Sequence, residues 1–338
     1  MKRTARTTAA LAAALVLVGA PPATAAGPAG PPGTAGTAAD PSPVPVEGPA
    51  VSLGTEFTGL SDGDLVAGNR LVEGRLGAIS RAWAWQEGEL TDIGPFDGEG
   101  STRATAVGAA GQVLGTSTSP STDEVGFLWQ DGAVRALGTG QDRFVPVDVD
   151  DAGRVLGTGT TADGARRAML WRDGALTTLP APSGCTQTYA TALDERGTAV
   201  GTCYAGTERR YALLWQDAGR RVRALDPSMR VLDVDGRGRL AGQDLSTQRA
   251  TVWAPRGRGG WRALDLGAAP GASAEDFGRD GEVAVTEPDA GGAGSRVLLW
   301  RHGRLSALPG GEGYEAVAAN ALGHVLGASY GNPALLWR

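Results

Sequence analysis

A tryptophan recurs through the last four-fifths of this 338-residue chain at intervals of 37 to 47 residues. Each of these tryptophans ends a short apolar run, and a glycine typical of a tight turn recurs in step with it. Two markers with one period predict an array of stacked supersecondary units. The tryptophans are Trp85, Trp129, Trp171, Trp215, Trp253, Trp300 and Trp337, and the glycines are Gly63, Gly111, Gly153, Gly197, Gly238, Gly281 and Gly323.

Each repeat reads as four short strands joined by turns and one variable loop. In the third unit, Asp150 and Gly153 take the first and fourth positions of a turn, which is type I turn chemistry, and Trp171 follows on a later strand. Four strands in a period in the low forties predict an all-β fold, a seven-bladed β-propeller of four-stranded blades. A β-solenoid is the alternative, although its coils are usually shorter.

The two ends of the array predict how the ring closes. The seventh unit ends at Trp337-Arg338 and lacks a fourth strand, whereas residues 48–54 repeat the Gly-to-Leu spacing of residues 132–138, the fourth strand of unit two. We expect the N-terminal strand to complete the last blade. Such closure removes the exposed sheet edges that otherwise promote aggregation.

The N-terminal sequence predicts export. Residues 1–26 have a basic start, an apolar stretch of about ten residues, and a small-residue cleavage site at Ala23-Thr24-Ala25, which together indicate a signal peptide of the general secretory pathway. Residues 27–47 are rich in Gly, Pro and Ala and predict a disordered leader. The propeller is assigned to residues 48–338. We expect a secreted monomer, extracellular or loosely associated with the envelope, without membrane insertion.

Charge and cysteine content narrow the possible partners. Without the signal peptide the chain has 28 basic and 37 acidic residues, a net charge of −9, which disfavours nucleic acid and anionic membranes as partners. The two cysteines, Cys185 and Cys203, flank a predicted hairpin whose turn lies near Glu195-Arg196. In an exported protein this arrangement predicts a disulfide bond.

The repeat resembles that of the HAF-repeat family of extracellular bacterial proteins. Their unit pairs an Asn-x-x-Gly turn with a later His-Ala-Phe-apolar-Trp run, and residues 320–327, Asn-Ala-Leu-Gly-His-Val-Leu-Gly, keep the asparagine form of that turn. The resemblance implies the repeat fold and little about activity. The position of the family's histidine, four residues before each tryptophan, is occupied here by Arg81, Val125, Arg167, Tyr211, Arg249, Arg296 and Pro333.

The repeated tryptophans are predicted to be core residues that pack between the sheets, because they occupy one position in every blade behind small apolar residues. Trp83 and Trp261 lie outside that position and are better candidates for the surface than the repeated tryptophans.

The remaining candidates for chemistry have simpler explanations. His302 and His324 occupy permissive turn positions, and the acidic runs 148–151 and 233–235 fit turn capping better than a calcium loop, whose full ligand pattern is absent. The sequence therefore predicts no catalytic residue, no metal site and no cofactor.

Ligand binding is predicted on the face formed by the connections between strands two and three and between blades, because variable loops on a rigid scaffold commonly carry function. Aromatic and arginine side chains are the types that recognition tends to use. The candidates are Phe96, Arg103, Arg143, Phe144, Tyr189, Tyr204, Arg209 and Tyr314.

These observations favour a secreted binding module for an extracellular protein or glycan. One alternative is a propeller lyase or hydrolase with its site at the mouth of the central channel, which carboxylates converging from several blades would favour. Another is a structural protein of the envelope. Fold alone does not separate them.

Overall fold

A computed structural model describes residues 42–46, 55–74, 77–94, 100–119, 122–138, 143–217, 219–289, 294–329 and 332–338. These residues form seven antiparallel sheets of four strands each, arranged as the blades of a seven-bladed β-propeller. The predicted fold class is confirmed. Among the described residues, no helix has the length and hydropathy that crossing a membrane requires.

Strand β1 (Pro43–Pro45) precedes the first blade in the chain. Blade 1 contains β2 (Glu56–Leu60), β3 (Val66–Gly74), β4 (Gly77–Gln86) and β5 (Glu89–Ile93). Blade 2 contains β6 (Ser101–Val107), β7 (Val113–Ser119), β8 (Thr122–Gln130) and β9 (Ala133–Leu137). Blade 3 contains β10 (Val145–Val149), β11 (Val155–Thr160), β12 (Arg166–Arg172) and β13 (Ala175–Thr178). Blade 4 contains β14 (Gln187–Leu193), β15 (Ala199–Ala205), β16 (Glu208–Gln216) and β17 (Arg221–Ala224).

Blade 5 contains β18 (Met229–Val234), β19 (Leu240–Asp244), β20 (Arg249–Arg256) and β21 (Gly260–Asp265), with a short 3₁₀ turn at Gly257–Gly259. Blade 6 contains β22 (Ser273–Phe277), β23 (Val283–Pro288), β24 (Ser295–Arg301) and β25 (Arg304–Glu312), with a second 3₁₀ turn at Arg279–Gly281. Blade 7 contains β26 (Glu315–Ala319), β27 (Val325–Ser329) and β28 (Asn332–Trp337), and its fourth strand is β1.

The turn between the first two strands of each blade follows one hydrogen-bonding pattern. In blade 3 the N–H of Gly153 donates to the carbonyl of Asp150, and Gly153 has a positive φ of 72°. The predicted turn glycine is correct in six units. In blade 1 the N–H of Asp64 donates to the carbonyl of Ser61, and Asp64 has the positive φ, so Gly63 is not the equivalent residue. Aspartate tolerates this conformation better than most residues with a side chain.

The core consists of seven apolar clusters, each between two adjacent blades. One repeated tryptophan lies in or packs against each cluster. Trp215 of blade 4, for example, is fully buried against blade 3, and its Nε1–H donates to the carbonyl of Pro180 at 2.7 Å. Both faces of a blade are thus covered by neighbours. Six of the seven repeated tryptophans are buried, and Trp300 is partly buried against the cluster between blades 5 and 6.

Trp83 corrects one sequence prediction. It is fully buried and lies with Trp85 in the cluster between blades 7 and 1, with its ring edge-on to Phe57 at a centroid distance of 5.3 Å. Residues two apart on a strand share a face, so Trp83 points the same way as Trp85. Trp261 is partly exposed at the outer edge of blade 5.

The ring closes through the N-terminal strand as predicted, but a different segment provides it. Strand β1 pairs antiparallel with β28, and the N–H of Val46 donates to the carbonyl of Ala334 at 2.9 Å. Residues 48–54, the predicted closing segment, lie outside the described residues. The boundary at residue 47 is therefore too late, because Pro43–Pro45 belongs to the propeller.

The position of Val46 explains the register of this closing strand. Leu179, Leu225 and Leu266 follow the fourth strands of three other blades, and each donates its N–H to the corresponding alanine carbonyl of its own blade. Val46 is 1% exposed and takes this place in blade 7. Proline in β1 is tolerated because the strand forms the outer edge of its sheet.

The predicted disulfide joins Cys185 to Cys203, with a Cα–Cα distance of 5.5 Å. Cys203 lies on β15 and is fully buried, whereas Cys185 precedes β14, so the bond links the start of this hairpin to its second strand. Closing a loop of this length stabilises a fold by about 3 kcal/mol in the chain-entropy treatment.

Candidate functional site

The seven innermost strands place one side chain each at the same level of the propeller. The residues are equivalent because each pairs with the corresponding position of its blade's second strand, as Arg103 does with Thr116 and Tyr189 with Thr202. We refer to this set as the mouth ring. It lies at the end of the innermost strands where the chain enters each blade, which is the face of the variable connections. Its members are Glu56, Arg103, Val145, Tyr189, Arg230, Ser273 and Glu315.

Opposite charges lie side by side at one point of the mouth ring. Glu56 of blade 1 and Arg103 of blade 2 form an ion pair at 2.8 Å, with side chains 48% and 56% exposed. An ion pair this exposed contributes little to stability. Arg230 of blade 5 and Glu315 of blade 7 are also exposed. The ring therefore presents both signs of charge to an incoming molecule.

An aromatic pair adds to the ring at blade 4. Tyr189 and Tyr204 stand edge to face, with ring centroids 5.3 Å apart and an interplanar angle of 77°. The hydroxyl of Tyr189 donates to Oε1 of Gln187 at 2.6 Å. Both rings remain partly exposed, which leaves an amphipathic surface beside the charged positions.

The acidic part of the mouth opens into two adjoining cavities between blades 6 and 1. The larger, of about 680 Å³, is lined by Glu56, Glu315 and small residues, and the smaller, of about 420 Å³, is lined by Glu275 and Glu315 among others. Burial raises the pKa of Glu275, and the neighbouring Glu315 carboxylate adds to the rise while Arg230 opposes it. This side of the mouth therefore suits groups that carry hydrogen-bond donors or positive charge.

On the channel axis, residues of all seven blades line an axial chamber of about 620 Å³. Its lining contains nine carboxylic side chains and no Arg, Lys or His. They are Asp62, Asp148, Asp151, Asp194, Glu195, Asp233, Asp235, Glu275 and Asp276.

Three of these aspartates occupy the β-bulge that interrupts the innermost strands of blades 3, 5 and 6. Each one accepts a hydrogen bond from a main-chain N–H of a later blade: Asp148 from Leu193 at 2.7 Å, Asp233 from Phe277 at 2.9 Å and Asp276 from Ala319 at 2.7 Å. These carboxyl groups thus join neighbouring blades around the axis as well as lining the chamber.

Burial raises the pKa values of all three groups. The pKa of Asp148 rises to about 7, chiefly through desolvation and with a contribution from the charge of Asp233. Burial raises the pKa of Asp276 well above its ordinary value, and the charge of Asp233 adds to the rise. Burial also raises the pKa of Asp233, because two carboxyl groups share this low-dielectric site.

Chemically, the mouth and the chamber differ in what they offer. The mouth combines both charges with aromatic surface, as recognition sites do, whereas the chamber offers carboxyl groups able to hold or transfer protons. Within the described ranges, no three His, Cys, Asp or Glu side chains are grouped so as to hold a metal ion.

The structure separates the predicted binding residues into different environments. Arg103 and Tyr189 are members of the mouth ring, and Tyr204 packs against Tyr189. Arg143 is exposed, with a positive φ of 40°. Tyr314 is partly buried, with its ring edge-on to Trp337 at 6.5 Å. Phe96 lies outside the described residues.

Phe144 and Arg209 take structural positions instead. Phe144 is 2% exposed in the cluster between blades 2 and 3, where Gly157 leaves space for its ring, so it offers no surface to a ligand. The guanidinium of Arg209 donates to the carbonyls of Pro227 at 3.0 Å and Met229 at 2.6 Å, which ties blade 4 to the entry of blade 5. Burial lowers the pKa of this guanidinium.

Arginines four residues before the repeated tryptophan take the same structural role in three blades. Arg81 donates to the carbonyl of Gly100, Arg167 to that of Thr186 and Arg249 to that of Ala268, in each case on the segment leading into the next blade. The recurrence of arginine at one repeat position was the signal that could have revealed these contacts between blades.

Comparison with known proteins supports the fold. No family model matches the sequence, and no curated protein matches it. A Mycobacterium tuberculosis puromycin-hydrolysing peptidase matches with a TM-score of 0.57 and 14% identity over 84% of this chain and 51% of the peptidase. The β-propeller domain of the Trilobed protease from Pyrococcus furiosus, described as having an open velcro topology, matches with a TM-score of 0.58 and 11% identity over 84% and 95% of the two chains.

A third similar structure comes from an analysis of two prolyl endopeptidases, with a TM-score of 0.56 and 14% identity over 84% of this chain and 48% of that one. The present chain thus spans about half the length of these peptidases, although it matches nearly the whole isolated propeller domain. At such identities the similarity shows a shared propeller fold.

Proposed function

We propose that this protein is a secreted binding module that recognises an extracellular protein or glycan through the mouth of its central channel. The observation that carries the proposal is the mouth ring. Charged or aromatic side chains that are exposed or partly exposed occupy one equivalent position in five of its seven blades.

The composition of the mouth ring supports recognition. Arg103, Tyr189 and Arg230 can contact acidic or planar polar groups, while Glu56 and Glu315, on the adjacent blades 1 and 7, suit hydrogen-bond donors. Paired opposite charges set the orientation of a ligand more than they add affinity. A mouth of this kind fits a molecule with several polar groups of both signs.

A thermal-shift screen of the mature protein against cell-wall and plant glycans, together with capture of proteins from culture supernatant, tests the proposal. A ligand at one hundred times its Kd adds about 2.7 kcal/mol to the free energy of unfolding. We expect Arg103→Gln and Glu315→Gln to weaken such a ligand's binding at least tenfold. Arg304→Gln, an exposed arginine on the outer strand of blade 6, is the matched control. Unchanged binding by both mouth variants would show that the ligand does not bind at the mouth ring.

A second candidate function is hydrolysis inside the axial chamber. The specific observation in its favour is that Asp233 and Asp276 both line the chamber, because buried carboxyl groups with raised pKa values can hold and transfer a proton. Assays of the mature protein on peptide and glycoside substrates test this function. Activity that Asp276→Asn abolishes and Asp151→Asn preserves would support it, and equal activity of the two variants would exclude the pair.

A further inference from the structure

A further pocket lies away from the channel and its mouth, at the outer rim between blades 4 and 5. We call it the rim pocket, and it has a volume of about 510 Å³. Blade 4 contributes Arg223 from β17, while blade 5 contributes Arg237 from its first turn and Arg256 and Trp261 from β20 and β21. The lining contains three arginines and no acidic residue.

The three arginines of the rim pocket are not neutralised by neighbouring carboxylates. Nearby acids are already paired elsewhere: Asp235 with Arg239 at 2.6 Å, and Asp217 with Arg221 at 2.6 Å. Across the described part of the chain, no carboxylate forms an ion pair with Arg223, Arg237 or Arg256. A concentration of positive charge on a protein whose net charge is negative indicates a local preference for anions.

A Gly/Arg-rich insertion in blade 5, residues 257–260, holds the pocket in shape. Gly259 has a positive φ of 77°, and a Cβ at this residue would lie 3.1 Å from Nη1 of Arg223. The absence of a side chain therefore lets the guanidinium of Arg223 lie against the main chain of the insertion. This contact brings the rim of blade 4 and the turn of blade 5 together into one lining.

Trp261 supplies the apolar wall. It packs against the core cluster of blades 4 and 5, and its Nε1 is buried without an acceptor in the described structure. Because the nitrogen is on the buried side, the part of the indole that lines the pocket is carbon. A flat carbon surface beside guanidinium groups is suited to stacking on a sugar ring while the guanidiniums bind its acidic substituents.

We infer that the rim pocket binds an acidic saccharide, whose negative group is a carboxylate or a sulfate. Guanidinium groups bind such planar or tetrahedral anions through paired N–H donors. The pocket volume lies within the range of small-ligand sites. This inference does not depend on the mouth ring, which lies on the other face of the propeller.

Calorimetric titration of the mature protein with an oligouronate, a sulfated oligosaccharide of equal length, and the same oligouronate with its carboxylates reduced to alcohols tests the inference. We expect one of the two acidic saccharides to bind, and the reduced one to bind at least tenfold more weakly. Arg223→Gln and Arg256→Gln should each weaken binding at least tenfold. Trp261→Leu should weaken both acidic and reduced forms, with its fold checked by urea unfolding.

Arg262→Gln is the matched control, because Arg262 is exposed, adjoins Trp261 on β21, and does not line the pocket. Its affinity should stay within twofold of the parent protein, as should that of the mouth variant Arg103→Gln. The inference is overturned if neither acidic saccharide binds or if Arg262→Gln weakens binding as much as Arg223→Gln. Binding of inorganic phosphate or an oligoglutamate peptide as tight as that of the saccharide would likewise overturn it.

Discussion

His324 and Asp64 are 260 residues apart in the chain, and Nδ1 of His324 lies 2.7 Å from Oδ1 of Asp64. The other oxygen of Asp64 meets Nε of Arg338 at 3.0 Å, and Nδ2 of Asn320 donates to Oδ1 at 3.2 Å. One partly buried aspartate of blade 1 thus contacts three side chains of the C-terminal segment. The ring is closed by this polar contact on one face in addition to the pairing of β1 with β28.

Asp64→Asn should destabilise the fold by about 1–3 kcal/mol, because it removes the charge that binds His324 and Arg338 inside a largely buried site. Asparagine preserves the tolerance for positive φ. Urea unfolding measures the change. Asp131→Asn, the same substitution at an exposed turn residue with a φ of 50°, should change stability by less than about 0.5 kcal/mol. Equal effects at the two positions would show that the closure contact contributes nothing.

Val46→Asp should destabilise the protein severely, by about 3 kcal/mol or more, because it places an unpaired charge in the core between blades 7 and 1. Val44 lies on β1 two residues earlier, is 40% exposed and provides the control. Val44→Asp should leave the urea midpoint nearly unchanged. If Val46→Asp were equally harmless, β1 would not be part of the stable ring.

Stability should fall as the pH rises from about 4 to about 7. The folded state holds the proton of Asp148 up to a pKa of about 7, while the unfolded state releases it near 4, so the folded state binds more protons in this interval. The raised pKa values of Asp233 and Asp276 act in the same direction. Urea unfolding at several pH values checks the slope.

Asp276→Asn should reduce that slope and raise stability above pH 7. The amide oxygen can still accept from the N–H of Ala319, and the amide carries no proton that alkaline solution removes. Asp151→Asn, a substitution of an exposed residue, should keep the parent pH dependence. A steeper slope for Asp276→Asn would contradict the contribution of Asp276 to the pH dependence.

Arg209→Lys should lower stability by about 1–2 kcal/mol, because a single ammonium cannot reproduce the forked contacts to Pro227 and Met229. Arg210→Lys, at an exposed neighbouring position, should have little effect. The Tm values of the Arg209→Lys and Arg210→Lys variants, measured by thermal unfolding, distinguish the two effects. If Arg209→Lys lost ligand binding and kept its stability, Arg209 would instead be a binding residue.

The repeat could be predicted from the sequence because its markers are local and recur. A tryptophan behind small apolar residues, and a turn with Asp or Asn before Gly, are dictated by packing and by backbone conformation. Trp83 and Phe144 could not be assigned in this way. In a propeller both faces of a blade are buried against neighbours, so strand alternation does not separate core from solvent as it does in an open sheet.

The candidate sites were less predictable for a related reason. Arg103, Tyr189 and Tyr204 could be chosen by residue type and position in variable segments, but no local pattern revealed that Asp233 and Asp276 meet in the axial chamber. The rim pocket was indicated only by an unusual tryptophan beside a Gly/Arg-rich insertion. Arg223, which lines the pocket together with Trp261, lies on another blade.

The sequence by itself determined the blade, the number of blades and the disulfide pairing, because strand spacing, turn chemistry and the period are properties of neighbouring residues. Only the tertiary structure decided that Val46 closes the ring, that arginines and aspartates join adjacent blades, and which charged side chains meet at the mouth, in the chamber and at the rim. Those relationships depend on the distances between strands of different blades, and a one-dimensional pattern carries no such distances.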